Sequence, residues 1–226
     1  MTTKIIDGLL LPQDDFAFSN FASVYGQLDK WGEEEFNIVY EHLLNKRTCI
    51  DIGAHVGLTS LRYSKHFENV HSFEPFHHLL LKENVKQCTN VNVYPYAVDD
   101  KEGDTTFYIH PTNSGSGFTA GEGTATLKKN RYGAGMRFET IEPVTVQTKT
   151  IDSYNFADVD FVKIDVEGNN LPVLNGMINT LRKYKPVLQI EDSLELETNV
   201  GVLNILNELG YSQFASHGKP IDRFYK

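Results

Sequence analysis

The sequence is short of cysteine, of basic charge and of long apolar runs. It holds 2 cysteines in 226 residues, Cys49 and Cys88. So few exclude a disulfide scaffold and read as reduced thiols of a cytosol. Cys49 lies in an apolar run and is expected in the core. No apolar run approaches the roughly 20 residues of a membrane-spanning helix. The opening MTTKIIDGLLLPQDD lacks a basic start, a sufficient apolar core and a small-residue cleavage site, so no signal peptide is expected. Lys and Arg number 21 against 30 Asp and Glu, a formal charge of −9. That balance argues against a general nucleic-acid surface and against adhesion to anionic membrane. No spacing of histidines and cysteines resembles a zinc site. A cytoplasmic protein with neither nucleic acid nor membrane as partner is expected; a homo-oligomer stays open.

Hydrophobic residues at 40% and charged residues at 23% describe a soluble globular chain. The length suits a single α/β domain over 1–226. Residues 1–47 form an N-terminal cover segment and a helix. The segment up to residue 30 reads as irregular, with Phe16, Phe18, Phe21 and Tyr25 spaced through it. Glu33 to Leu44 reads as a helix with Phe36, Val39, Tyr40, Leu43 and Leu44 on one stripe.

From Thr48 onward, strands and helices alternate. The strands are TCIDIG, NVHSFEP, VNVYPYAV, VDFVKIDVEG and PVLQIE. The helices are Leu58 to His66, Phe76 to Gln87, Leu171 to Tyr184 and Val200 to Leu209. Pro172 suits a first helical turn, with Asn170 as its cap. Nearly all-apolar strands imply helices on both faces, the pattern of a doubly wound, mostly parallel sheet. Two short strand-like runs flank HGKP near the end and predict a C-terminal antiparallel hairpin. The alternation breaks between Asp104 and Tyr154. There TTFYIH and EPVTVQTKTI read as strands around a segment, 111–140, that carries six of the 17 glycines. It reads as an insertion, or lid, within the domain.

The stretch CIDIGAHVGLTS, Cys49 to Ser60, runs from a strand through a glycine turn into a helix. In an open parallel sheet, such a turn lies where ligands bind. A dinucleotide fold would show G-x-G-x-x-G. Here only Gly53 and Gly57 are present, and Ala54 or His55 replaces the middle glycine. A pyrophosphate would be crowded; a nucleoside without phosphates would not. Asp51 precedes the turn. Glu74 ends the next strand at the spacing of a ribose-binding acid, and a carboxylate there can accept from both ribose hydroxyls. S-adenosylmethionine has a ribose, no phosphates, an ammonium and a sulfonium, and fits these residues better than NAD. Taken singly, Asp51 reads equally as a capping acid and Glu74 as a solvated strand end.

These stretches resemble the FkbM-type methyltransferases among the class I S-adenosylmethionine-dependent enzymes. The resemblance runs from about Thr48 to Tyr211. It is carried by DIGAHVG, FEP, NVNVYPYAVDDKEG, NSGSG, TIDSY, VDFVKIDVEGNNLPVLNG and KPVLQIE in that order. It implies a Rossmann-like methyltransferase fold, S-adenosylmethionine as donor, S-adenosylhomocysteine as product, and usually O-methylation. By position, Asp51, Gly53, His55 and Gly57 would form the donor turn. Glu74, followed by Pro75, would hold the ribose, and Ala97 and Val98 would border the adenine. The family commonly has Asn where this chain has His55.

KIDVEGNN places Asp165 and Glu167 at the end of a strand, on one face by alternation. A carboxylate there can orient an acceptor hydroxyl and take its proton, and Asp165 would also border the donor. His55 reads as a base, as a substrate contact or as a solvated loop residue. Alternatively, Asp165, Glu191 and Asp192 offer hard oxygen ligands for a divalent cation, a metal reading that is not favoured. The plain structural reading pairs Lys163 with Glu167. His77 and His78 are expected to lie exposed on a helix. Asn113, Ser114 and Ser116 could hydrogen-bond a polyol. Lys128, Lys129, Arg131 and Arg137 are either a solvated loop or a lid for an acidic acceptor. The expectation is a methyltransferase acting on a hydroxyl of a sugar or other polyhydroxylated small molecule. The alternatives are a non-catalytic nucleoside-binding module and an NAD-linked oxidoreductase.

Overall fold

Strands that are apolar on both faces need cover on both faces, and their order along the chain settles how that cover is supplied. The computed structural model describes residues 2–13, 15, 17–109, 117–119, 142–166, 168–192, 196–218 and 221–226. Its elements begin with β1 (Thr3–Ile6), β2 (Leu9–Pro12), α1 (Ala17–Tyr25) and α2 (Glu33–Tyr40). There follow β3 (Thr48–Ile52), α3 (Leu58–Tyr63), β4 (Asn69–Phe73), α4 (His78–Asn84), β5 (Val91–Tyr94) and β6 (Ala97–Val98). Next come β7 (Gly103–Ile109), β8 (Gly117–Thr119), β9 (Glu142–Lys149), β10 (Val159–Ile164), α5 (Asn170–Asn175) and α6 (Ile178–Tyr184). The chain ends with β11 (Val187–Asp192), α7 (Leu196–Glu208), β12 (Gln213–His217) and β13 (Ile221–Tyr225).

The main sheet has seven strands in the order β5-β4-β3-β10-β11-β13-β12. The strands from β5 to β11 are parallel, and β13 is antiparallel to both its neighbours. The expected C-terminal hairpin is therefore present, with β13 wedged between β11 and β12. After β4 and β5 the order turns back to β10 on the other side of β3. Ligands bind at such a switch point.

Alternation splits the core in two. Ile50, Ile52, Val162 and Ile164 pack with Leu174 and Leu181 of α5 and α6. Their neighbours Cys49 and Phe161 pack with Tyr63 of α3 and with Phe36 and Val39 of α2. Each of these strand side chains is at most 1% exposed, and each large one contributes about 1.5–3 kcal/mol by leaving water. The sheet is doubly wound, and Cys49 is a core residue as expected.

Several local expectations need correction. The N-terminal segment is not irregular. β1 and β2 form an antiparallel hairpin closed by Asp7 and Gly8, both at positive φ. α2 stops at Tyr40, so Leu44 leaves the expected stripe and is 97% exposed. VNVYPYAV is not one strand. Proline cannot donate to a ladder, and after Pro95 the chain leaves the main sheet, so that β6 pairs with β9 in a second sheet of order β6-β9-β7-β8. The helix expected from Leu171 to Tyr184 is two helices broken at Gly176, where a Cβ would meet the Asp99 carbonyl oxygen at 2.1 Å. Asn170 does not cap its helix; its amide donates to the Glu191 carbonyl at 2.8 Å. Segment 111–140, apart from 117–119, lies outside the described residues. No described helix is long and apolar enough to cross a membrane.

Candidate active site

The glycine turn sits at the switch point. Gly53 and Ala54 both donate to the Phe73 carbonyl at 3.0 Å, which locks the turn against the end of β4. Gly53 has φ +81, and a Cβ there would lie 1.8 Å from the Asp165 carbonyl oxygen. Only glycine fits. Gly57 has φ +93 and caps α3, where a Cβ would strike Leu81. His55 adopts φ +51, a left-handed conformation without the glycine that a dinucleotide fingerprint would offer. Its ring packs against Phe18 at 5.5 Å and His77 at 4.8 Å. His77, expected to be exposed, is 2% exposed, because this contact and Phe76 enclose it.

Glu74 reaches back over the turn. Its Oε2 accepts from the His55 amide at 3.0 Å, and its Oε1 accepts from the Phe76 and His77 amides at 2.8 and 2.9 Å. A carboxylate offers about four acceptor positions. Three are filled by backbone, so the geometry leaves room for one further donor at Oε2 rather than two.

Asp51 is fully buried in β3. Its Oδ2 accepts from Thr59 and Ser60, while Oδ1 has no hydrogen-bond partner. Burial pushes its carboxyl above the usual range, against the opposing pull of Lys163 and the two hydroxyls. Lys163, on the neighbouring strand, bonds Asp165 Oδ2 at 2.8 Å. The partner expected from the sequence, Glu167, lies outside the described residues. Burial works against the Lys163 charge, but Asp165 and Asp51 outweigh it and raise its pKa.

Two clefts open at the carboxyl ends of the strands, and both are lined by Gly53. The narrow one is apolar, walled by Ile52, Phe73, Pro75, Ala97, Val98 and Val166. The wide one holds about 270 Å³, and its lining includes His55, Thr59, Lys163, Asp165, Gln189 and Glu191. Phe18, Phe21 and Trp31 of the N-terminal segment, Glu35 of α2 and Asp222 of β13 also line it. The structure thus gathers Asp51, Gly53, His55, Gly57, Glu74, Pro75, Ala97, Val98 and Asp165 around one region. Glu167, Asn113, Ser114 and Ser116 lie outside the described residues. Among the described residues, no group of three His, Cys, Asp or Glu side chains converges as a metal site.

Sequence reasoning missed Asp222, Gln189 and Glu35. Asp222 pairs in register with Glu191, which places it at the sheet end that carries the cleft. The HGKP hairpin signal could have pointed there; nothing local marks Glu35.

The profile of the FkbM methyltransferase domain matches residues 51–212, more than half of the chain. The chain belongs to the FkbM methyltransferase family. A solved FkbM methyltransferase from Methylobacillus flagellatus KT superposes with a TM-score of 0.56 at 18% identity, over 80% of this chain and 44% of that one. The family member described here therefore spans less than half the length of that protein. A S-adenosylmethionine-dependent methyltransferase from Aquifex aeolicus gives a TM-score of 0.46 at 15% identity, covering 93% of this chain and 98% of its own. A Streptococcus mutans protein solved in complex with S-adenosylhomocysteine gives 0.48 at 13% identity, covering 85% and 94%. No curated protein matches. The fold of this FkbM-family chain is the Rossmann-like fold of class I methyltransferases.

Proposed function

We propose that this protein transfers a methyl group from S-adenosylmethionine to a hydroxyl of a sugar or other polyhydroxylated small molecule. The observation that carries the reading is the meeting of the two clefts at Gly53. One is a narrow, mostly apolar slot of about 30 Å³ beside Ala97 and Val98, which a base would have to widen; the other mixes aromatic and acidic side chains and is large enough for a reacting group. Glu74 holds the turn that both clefts share through the amides of His55, Phe76 and His77, with one acceptor position left for a ribose hydroxyl. Asp51, buried beneath the turn and facing Lys163, adds to the acidic floor under it. The residues present fit the donor and do not fit a pyrophosphate, since His55 stands where the fingerprint has glycine.

When bound, the donor supplies an electrophilic sulfonium methyl group. The acceptor oxygen forms the new C–O bond as the S–C bond breaks, and its proton passes to a carboxylate. Asp165 is the residue assigned to that proton. It lines the wide cleft at the end of β10, and Lys163 fixes its orientation through Oδ2. Most of the acceleration comes from alignment of acceptor and donor. The same ion pair also favours a second reading, a donor-binding protein without turnover, because Asp165 is already engaged.

Calorimetric titration with S-adenosylmethionine and with NAD⁺ tests the site. Binding of the first alone, weakened in Glu74→Ala, is expected; binding of NAD⁺ in its place overturns the reading. A hydroxyl-acceptor screen with Asp165→Asn as control then separates turnover from binding alone.

A further inference from the structure

The far corner of the wide cleft has a recognisable chemistry of its own. Gln189 is 4% exposed, and its Nε2 donates to Asp222 Oδ1 at 3.0 Å. A carboxylate cannot donate, so this bond fixes which end of the amide faces Asp222. The other end, Oε1, is buried and has no hydrogen-bond partner. A buried acceptor without a donor costs about 1–3 kcal/mol, and this one borders a cleft where a ligand can supply it. Asp222 stands beside it, and Glu35 of α2 lines the same cleft, its Oε1 3.7 Å from His217 Nε2. Burial raises the Asp222 pKa most, Gln189 and Lys163 pull it down, and Asp165 and then Glu35 add smaller upward pushes. The lysine beneath is bonded to Asp165. Trp31 and Phe21 add aromatic faces.

Gln189 Oε1, Asp222 and Glu35 accept, and Trp31 and Phe21 offer π faces; the basic groups nearby are Lys163, already bonded to Asp165, and His217, 3.7 Å from Glu35 Oε1. A hydroxyl brings a single donor and turns lone pairs toward carboxylates. A carboxylate or phosphate brings a like charge to Asp222 and Glu35. A primary ammonium brings three donors, no acceptor, and the charge that aromatic faces and carboxylates attract.

We propose that Gln189, Asp222 and Glu35, walled by Trp31 and Phe21, form an acceptor subsite for a protonated primary amine. The acceptor then belongs to the amino alcohol or amino sugar class, with the ammonium in this corner and the hydroxyl toward Asp165. The assignment rests on the methyltransferase reading for its donor and methylated hydroxyl, and on this corner for its charge.

The chain contains 1 tryptophan, Trp31, which reports directly on this cleft. The experiment titrates S-adenosylhomocysteine-saturated protein with benzylamine, benzyl alcohol and benzoate at pH 7, following Trp31 fluorescence. Benzylamine is expected to bind at least about tenfold more tightly than benzyl alcohol, and benzoate more weakly still. Asp222→Asn and Glu35→Gln are each expected to erase most of that preference, and S-adenosylhomocysteine affinity measured on the same samples reports that the variants are folded. Equal affinity for alcohol and amine, a preference that survives both substitutions, or no binding of any probe overturns the proposal. Failure of S-adenosylhomocysteine to bind instead counts against the donor reading, and the probes are then titrated against the protein alone.

Discussion

Gly53 approaches the backbone at Asp165 so closely that a Cβ would stand 1.8 Å from its carbonyl oxygen. The donor turn and the end of β10 are thereby one rigid unit, and the Asp165 amide also bonds the Ile52 carbonyl at 3.0 Å. Gly53→Ala is expected to cost about 3 kcal/mol or more, from positive φ together with displaced backbone, and to abolish donor binding. Gly8 provides the control. It has φ +80 but open space around it, so Gly8→Ala should cost only the left-handed strain of about 1–2 kcal/mol. Chemical denaturation and calorimetry on both variants check this. Equal losses would mean that the contact with Asp165 is relaxed in solution.

Lys163 is the charge that makes the acidic floor tenable. It is 6% exposed and faces Asp51, Asp165 and Asp222. Lys163→Met removes the cation and leaves these carboxylates uncompensated. A loss of about 3–5 kcal/mol is expected at pH 7. Asp51 and Asp222 have raised pKa values from burial, so they take up protons early as pH falls. The deficit of the variant should therefore shrink toward pH 4. Parallel stability curves for the two proteins across that range would show that the charge is not what Lys163 contributes.

Glu74 performs a structural task that a ribose acid need not. Glu74→Gln retains the shape but replaces one carboxylate oxygen by an amide NH₂, which cannot accept from backbone. At least one of the amides of His55, Phe76 and His77 loses its partner. A stability loss of about 1–3 kcal/mol is expected, together with donor affinity weakened at least about tenfold. A variant with weakened affinity and unchanged stability would confine the role of Glu74 to the ligand.

What the sequence made legible was whatever is local or periodic. The buried strand around Ile50, the glycine turn and the C-terminal hairpin each carry their signal within a few residues. Two of the missed features carried one too. Asp7-Gly8 is a hairpin turn signature, and Pro95 forbids a continuous ladder. The cleft corner is different in kind. Glu35, Gln189 and Asp222 come from three distant segments, and only the order β10-β11-β13 and the packing of α2 bring them together. Asp51 was legible as an acid near the ligand, but not as a fully buried one, because burial depends on Thr59 and Ser60 of α3 closing over it.

His71 makes an acid limb in the stability curve. It stacks on Phe156 at 4.0 Å and sits 3.0 Å from the Tyr94 hydroxyl. Burial lowers its pKa to about 4, below the ordinary 6.5. The folded state thus binds the proton less readily than the unfolded one. The stability is fully present above about pH 6.5 and is lost as pH falls toward 4. The shift corresponds to about 3 kcal/mol at most, and the partial exposure of the ring reduces it to about 2. His71→Phe should flatten the curve by that amount between pH 6.5 and 4. An unchanged slope in urea titrations would assign the limb to other groups.

Arg62 straps the aromatic wall to the donor helix. Its guanidinium, on α3, donates to the backbone carbonyls of Asp29 and Trp31. A planar fork can serve two carbonyls at once where an ammonium serves them poorly. Beyond the strap, Trp31 is held by Phe18 at 4.8 Å and Phe21 at 5.0 Å, and Phe18 in turn touches His55. The wall of the wide cleft is therefore tied to the glycine turn by one polar and one aromatic link. Arg62→Met cuts the polar link alone. Acrylamide quenching of Trp31 should then rise about twofold or more, and stability should fall by about 1 kcal/mol as the partly buried Trp31 carbonyl loses its donor. Arg62→Lys should fall between the two. Were quenching to stay at the wild-type level in both variants, the aromatic contacts would suffice to hold the wall, and the guanidinium would matter only to the fold of residues 29–31.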